Sequence, residues 1–237
     1  KSRTWKLKEG VVDSSPLSDT PRPGNAKFKK LTPVDPNSTN PYQLTEADRT
    51  VIGNTTPKFS GGFGLNATYK GFDMSMFFNF MYDFDVLNAN KIMLTTWADN
   101  KENNFLMDIA SDKRWRNFDD MGNEIRYSPE VLAGFNKNAM WNPTSIGRPI
   151  CMSYAVEDGS FLRLNSATLG YTLPSVWTKK VGLSKVRFYV SGNNLFTLTG
   201  YSGYDPEVNI ATGLTPNIDY NRYPRSRTYT FGAQLTF

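Results

Sequence analysis

Five stretches of the chain alternate apolar and polar residues with a period of two, the pattern of a strand with one apolar face. In the last of them Tyr229, Phe231, Ala233, Leu235 and Phe237 share one face, and Thr228, Thr230, Gly232, Gln234 and Thr236 the other. Upstream, Phe59, Phe63, Leu65, Ala67 and Tyr69 stand against Ser60, Gly62, Gly64, Asn66 and Thr68. Phe72, Met74, Met76, Phe78, Phe80 and Tyr82 then stand against Asp73, Ser75 and Asn79, with Phe77 and Met81 breaking the phase. A fourth stretch sets Ala167, Leu169, Tyr171 and Leu173 against Ser166, Thr168, Gly170 and Thr172. A fifth sets Val186, Phe188 and Val190 against Lys185, Arg187 and Ser191. All five are long for strands of a globular protein.

The connections choose between all-β architectures. Lys70-Gly71 predicts a two-residue hairpin, and Pro174 to Ser184 is also short, whereas residues 83–160 and 199–225 are long and rich in Asn, Asp, Pro and Gly. Short and long links alternate, so an antiparallel up-and-down β-barrel places the short turns at one rim and the long loops at the other, the arrangement of membrane-spanning barrels. The second face carries Thr, Ser, Gly and Asn rather than Lys and Glu, which suits a wet lumen better than the solvent face of a soluble sandwich. Tyr69, Phe72, Tyr82, Tyr171 and Phe237, at segment ends, fit interfacial girdles.

The expected layout is a loop region with an upstream barrel remnant over 1–58, a barrel hairpin over 59–82 and a long extracellular loop over 83–160. Barrel strands follow over 161–198 around a periplasmic turn at 174–184, then an extracellular loop over 199–225 and a closing strand over 226–237. Five strands cannot close a barrel, whose smallest membrane examples have about eight. An open edge in lipid strands backbone groups without partners. Further strands are therefore expected, from a longer chain or from several copies. The opening Lys-Ser-Arg-Thr-Trp-Lys, without an initiator methionine or the apolar stretch of a signal peptide, favours the longer chain.

Composition narrows the chemistry. The 237 residues contain no histidine, which excludes Ser-His-Asp and Cys-His catalysis and histidine-based metal centres. The lone Cys151 forms no internal disulfide or cysteine zinc cluster. A balance of 27 basic against 22 acidic side chains, net +5, is too dispersed to indicate nucleic acid. No apolar run reaches the length of a membrane-spanning helix.

Several stretches then resemble one family in order along the chain. Asp48-Arg49-Thr50-Val51-Ile52-Gly53 leads through Thr56-Pro57-Lys58-Phe59 to Tyr69-Lys70-Gly71-Phe72-Asp73, and Trp141-Asn142-Pro143-Thr144 follows. The runs Val156 to Leu164 (ValGluAspGlySerPheLeuArgLeu) and Thr168 to Pro174 (ThrLeuGlyTyrThrLeuPro) come next. Val190 to Thr199 (ValSerGlyAsnAsnLeuPheThrLeuThr), then Tyr201 to Glu207, are the most specific, before Tyr223 to Gly232 and the terminal Phe237. Together they resemble the TonB-dependent outer-membrane transporters of the SusC/RagA family. The resemblance implies the C-terminal strands of a barrel of about 22 strands, nutrient import of glycan or peptide, energy from a TonB complex and a SusD-like surface lipoprotein as lid. It also implies residence in the outer membrane of a Bacteroidetes-type cell, contact with outer-membrane lipids, no cofactor, no metal and no nucleic acid. The apolar alternation ending in Tyr229, Phe231, Leu235 and Phe237 resembles the signal read by barrel-assembly machinery. Before Asp48 the family's acidic, glycine-containing loop is replaced by Val34 to Gln43, which puts any ion site there in doubt.

Loop aromatics Trp97, Trp115, Trp141, Tyr154, Tyr201 and Tyr204 have flat faces that stack on sugar rings or peptide side chains, and Arg114, Arg116 and Arg148 offer planar forks for carboxylates or phosphates. The bland reading of each is loop packing or contact with the lid. Acidic neighbours Glu157-Asp158, Asp205 with Glu207, and Asp119-Asp120 read as turns rather than the convergent carboxyls of glycoside hydrolysis, so no enzyme is expected. Asp119 to Glu124 loosely suggests calcium and is better read as a solvated turn. Around Trp177, Lys179 and Lys180 the turn has the composition of a lipid-headgroup contact or of an ordinary amphipathic turn. The rival to the transporter is a secreted β-sandwich that grips glycans.

Overall fold

The computed structural model describes residues 7–17, 21–96, 104–109, 113–143, 150–208 and 216–237. The chain divides into two compact units, one of residues 1–52 with 89–155, the other of residues 53–88 with 156–237.

The second unit holds the long strands: β1 (Phe59–Tyr69), β2 (Phe72–Tyr82), β5 (Phe161–Thr172), β6 (Lys185–Thr199) and β8 (Thr228–Thr236). They form one antiparallel sheet in the order β1-β2-β5-β6-β8, so each long strand pairs with the next along the chain, as the alternation of short and long links requires. Lys70 and Gly71 have φ of 46° and 89°, the two positive values of a type I′ turn, whose twist matches that of the strands.

Register decides which faces exist. Ala67, Met74, Leu169, Val190 and Phe231 form a continuous row across all five strands, flanked by the rows Leu65-Met76-Ala167-Gly192-Tyr229 and Tyr69-Phe72-Tyr171-Phe188-Ala233. The interleaved rows, Asn66-Ser75-Thr168-Ser191-Thr230 and Thr68-Asp73-Gly170-Tyr189-Gly232, belong to the other face. Five separate sequence patterns thus align into one apolar and one polar surface. The apolar one stays open: Phe72, Leu169, Phe188, Phe231 and Leu235 are all exposed. Among the described residues no helix is long and apolar enough to cross a membrane.

Two features depart from strict alternation. Against β2, Asn165 is an extra residue between Leu164 and Ser166, and against β6 it faces two residues, Asn194, at φ 52°, and Leu195. This bulge lets Leu162 and Leu164 continue the apolar face of Ala167 although their parity differs. Phe77 and Met81, the two phase-breakers, lie on the polar face: the Phe77 ring fills the space over Gly62, where an added Cβ would come within 2.8 Å of it, and Met81 packs against a small core.

Residues 83–160 and 199–225 are not wholly irregular. Beyond Asp83 the chain enters β3 (Asp85–Asn88), which pairs antiparallel with β4 (Val156–Asp158) and parallel with β7 (Ile218–Asp219). Phe84, Val86, Phe161, Tyr201 and Val208 close a core beside this three-stranded sheet. Gly159 is required there, because a Cβ would lie 2.5 Å from the Phe84 ring.

The first unit has the short helices α1 (Ala89–Met93) and α2 (Pro129–Phe135) and no long strand among its described residues. Its chain is tied by side chains instead. Asp48 accepts from the backbone N–H groups of Leu31 (2.9 Å), Thr32 (2.7 Å) and Thr45 (2.9 Å), and Lys30 Nζ lies 3.3 Å from it. These donors, the Thr32 N–H foremost, hold its carboxyl well below the usual range.

Candidate functional site

In the second unit, the loop end of the sheet is organised around Arg163. Its register position on β5 belongs to the polar face, opposite Asn79, and its side chain is only 2% exposed. Arg163 Nη2 donates to Asp205 Oδ1 at 2.5 Å, Nη1 lies 3.4 Å from Glu207 Oε2, and Glu207 in turn meets Arg225 at 2.8 Å. The N–H of Glu207 also donates to Asp205 Oδ1 at 2.9 Å. One buried guanidinium therefore fixes the first part of the 199–225 loop to β5, and Arg225 ties the last part to Glu207.

Tyr201 completes this base. It is 6% exposed and its hydroxyl donates to Asp219 Oδ2 at 2.7 Å, joining the loop's first turn to β7. Burial, reinforced by the Asp219 carboxylate, pushes that hydroxyl above the ordinary tyrosine range, so it stays a neutral donor. Gly203 is needed because a Cβ there would collide with the Tyr201 ring. Three residues from Tyr201, Tyr204 is 83% exposed. The two tyrosines treated alike in the sequence thus divide: Tyr201 holds the loop, and Tyr204 presents a free face.

In the first unit the indole N–H of Trp115 donates to Asn117 Oδ1 at 3.1 Å, while the ring covers Gly24 so closely that a Cβ would lie 2.5 Å from it. Trp141 donates to the Thr95 carbonyl at 3.2 Å and meets Tyr154 edge-on, ring centres 4.8 Å apart, with Lys91 Nζ 4.3 Å above the tyrosine. Trp115, Trp141 and Tyr154 are half-buried, and Arg114 is exposed beside the Arg114–Met140 bridge. Arg116 pairs with Asp120 at 2.6 Å. Trp97 and Arg148 lie outside the described residues.

The acidic neighbours are spent on structure. Glu157 accepts from the Ser202 N–H at 3.0 Å and hydroxyl at 2.8 Å, and Asp158 accepts from the Ser160 N–H at 2.8 Å. Asp119 accepts from the Asn123 side chain and from the backbone of Met121 and Asn123, which lowers its carboxyl below the usual range, the Asn123 side chain contributing most. Its oxygens are thus taken up within a turn. Along β8 and at its terminus, Tyr229, Phe231, Leu235 and Phe237 are exposed.

Arg163 and Asp48 are the two hubs that sequence reading did not single out. The signal for Arg163 was a charge inside the apolar run Phe161 to Leu164; Asp48 offered only its place as the last residue of a Thr-x-x-Asp capping pattern.

No family model matches the chain. It is 34% identical over 235 residues to TonB-dependent receptor P3 of Formosa agariphila, an alignment covering 97% of this chain and 20% of that protein. It is 31% identical over 158 residues to TonB-dependent receptor SusC of Bacteroides thetaiotaomicron, covering 56% and 15% respectively. Among solved structures it is similar to the RagAB peptide importer in its closed-closed state, with a TM-score of 0.61 and 25% identity over 83% of this chain and 19% of that one. The chain spans about a fifth of the length of the curated relatives it matches. By sequence and by fold, it is a homologue of the TonB-dependent receptors of the SusC/RagA family.

Proposed function

We propose that the chain forms the C-terminal wall of a TonB-dependent outer-membrane transporter that imports a glycan or peptide nutrient. The observation that carries this reading is the alignment of five alternating strands into one exposed apolar face and one face of small polar residues. Such a sheet fits lipid outside and a wet lumen inside, and its open edges at β1 and β8 fit a barrel of about 22 strands completed by the remaining four-fifths of a receptor. The secreted sandwich reading leaves the apolar rows without cover.

In this reading residues 59–82, 161–198 and 226–237 belong to the wall, the turn at 174–184 is periplasmic, and residues 1–58, 83–160 and 199–225 lie on the loop side. A TonB complex acts through parts of the receptor outside these residues, and a SusD-like lipoprotein covers the mouth; the similarity to TonB-dependent receptor SusC and to the RagAB peptide importer supports both. Tyr204, Trp115, Trp141, Tyr154, Trp97 and Arg114 are the ligand-contact candidates, with Tyr204 foremost for its exposure on an anchored loop. Tyr201 contributes by holding that loop. The exposed stripe Tyr229, Phe231, Leu235, Phe237 serves as the assembly signal. The chain performs no catalysis.

The test is uptake by cells bearing the full-length receptor, offered labelled oligosaccharides and labelled peptides in parallel. Uptake of one class, abolished when the inner membrane is de-energised, is expected. Recovery of the receptor in the soluble fraction, or no receptor-dependent uptake of either class, overturns the proposal.

A further inference from the structure

The two ends of the five-stranded sheet differ in charge. The loop end mixes both signs: Asp83, Asp205 and Glu207 are paired with Lys58, Arg163 and Arg225, beside Asp85, Glu157 and Asp158. The hairpin end carries Lys70, Lys179, Lys180 and Lys185, all exposed, and its one nearby acid, Asp73, lies on the polar face paired with Arg187. Residues 174–187 contain no acidic side chain at all.

The turn that bears three of these lysines is built and held. Ser175–Thr178 form α3, a 3-10 turn follows over Lys179–Val181, and Gly182 ends it at φ 76° with the Gly182 N–H on the Lys179 carbonyl and the Leu183 N–H on the Thr178 carbonyl. Leu173 N–H bonds Val186, and Ser184 N–H bonds Thr236 at 2.8 Å, so the turn is fastened to β6 and β8. Thr178 faces inward, while Val176, Trp177 and Val181 are 68%, 59% and 71% exposed. Trp177, Lys180 and Val181, at i, i+3 and i+4, share one surface. An indole and two valines are thus held mostly outward on a fastened turn.

The apolar row Tyr69-Phe72-Tyr171-Phe188, exposed but for the half-buried Tyr171, runs up to this same end. Beside that row the turn adds an exposed indole, Trp177, and exposed lysine ammonium groups, the side-chain chemistry that suits the acyl chain, glycerol ester and phosphate of a bilayer leaflet. We propose that the 174–185 turn, together with Lys70, is a binding rim for anionic glycerophospholipid in the periplasmic leaflet. Lys179 and Lys180 meet the headgroup phosphates, and Trp177 and Val181 sit at the ester level beneath them. This rests on the transporter reading for the presence of a bilayer, but the selectivity for anionic lipid does not follow from that reading.

The experiment reconstitutes the full-length transporter in nanodiscs of phosphatidylcholine with and without phosphatidylglycerol, and reads retained lipid by mass spectrometry and the melting temperature. The wild type is expected to enrich phosphatidylglycerol and to melt higher when it is present. Lys179→Gln with Lys180→Gln keeps the melting temperature in phosphatidylcholine alone but loses enrichment by about threefold or more, in line with the pull of an anionic surface on each lysine. Trp177→Ala lowers the melting temperature in both lipid mixtures. Equal phosphatidylglycerol retention by the lysine variant and the wild type overturns the proposal, as does a photo-crosslinker at Trp177 that captures polypeptide instead of lipid. A receptor that fails to enter the bilayer overturns the transporter reading, whereas one that inserts without lipid preference overturns only the rim.

Discussion

A charge walked along β5 tests the faces position by position. From Thr172, at the hairpin end, Tyr171, Leu169 and Ala167 lie one, three and five residues into the strand on the apolar face. At about 3.3 Å per residue and a tilt of about 40°, Leu169 lies about 8 Å and Ala167 about 13 Å from that end, the latter near the middle of an apolar band about 25 Å tall. An arginine replacing Ala167 is expected to cost about 3 to 4 kcal/mol, one replacing Leu169 about 2, and one replacing Tyr171 about 1 or less, because its head reaches the headgroups. Thr168→Arg, between Ser75 and Ser191 on the polar face, meets water and small side chains and is expected to cost less than either deeper apolar variant. Urea unfolding of the full-length receptor in lipid vesicles measures the differences, with membrane-inserted protein per cell as the companion reading. Equal losses at Thr168 and Leu169, or losses that do not grow from Tyr171 to Ala167, refute the assignment of faces.

Arg163→Ala strips the cation from buried Asp205, while Glu207 keeps Arg225, at an expected cost of about 3 to 5 kcal/mol; protease cleavage within 199–225 rises while the wall stays inserted, and unchanged cleavage contradicts the anchoring role. Asp48 has a folded-state carboxyl pKa below its unfolded value, so its contribution to stability is complete above about pH 4 and is lost as pH falls through the lower folded value. Asp48→Asn should therefore destabilise the first unit at neutral pH and remove part of its acid sensitivity, as read by limited proteolysis across pH 2 to 7; an identical acid profile in both proteins refutes it.

Much of the wall was legible in the sequence because a strand's side chains alternate between faces, so its period is a physical surface. The Lys70-Gly71 turn was legible for a similar reason, since the positive φ it needs restricts the residue types that occupy it. The bulge at Asn165 was not: one extra residue shifts parity, and Phe161 to Leu164 then read as a mixed run rather than as two faces. The three-stranded sheet escaped because strands of two to four residues show no period, and Ile218–Asp219 pairs in parallel with Leu87–Asn88 across most of the chain. For the loop aromatics, sequence shows which rings can stack but not which are already covered. Only the fold separates Tyr201, bonded to Asp219, from Tyr204, which is open to solvent.

The most direct test of the membrane wall itself is the accessibility of single cysteines at residues 166 to 172. With Cys151 and any cysteine elsewhere in the full-length receptor replaced by serine, each position is spin-labelled in lipid vesicles. Collision with oxygen, which concentrates in the bilayer, is then compared with collision with a water-soluble nickel chelate. The account predicts that 167, 169 and 171 report lipid and that 166, 168, 170 and 172 do not, a period of two in phase with the apolar row through Leu169. Nickel access at all seven positions, or oxygen access without alternation, contradicts it.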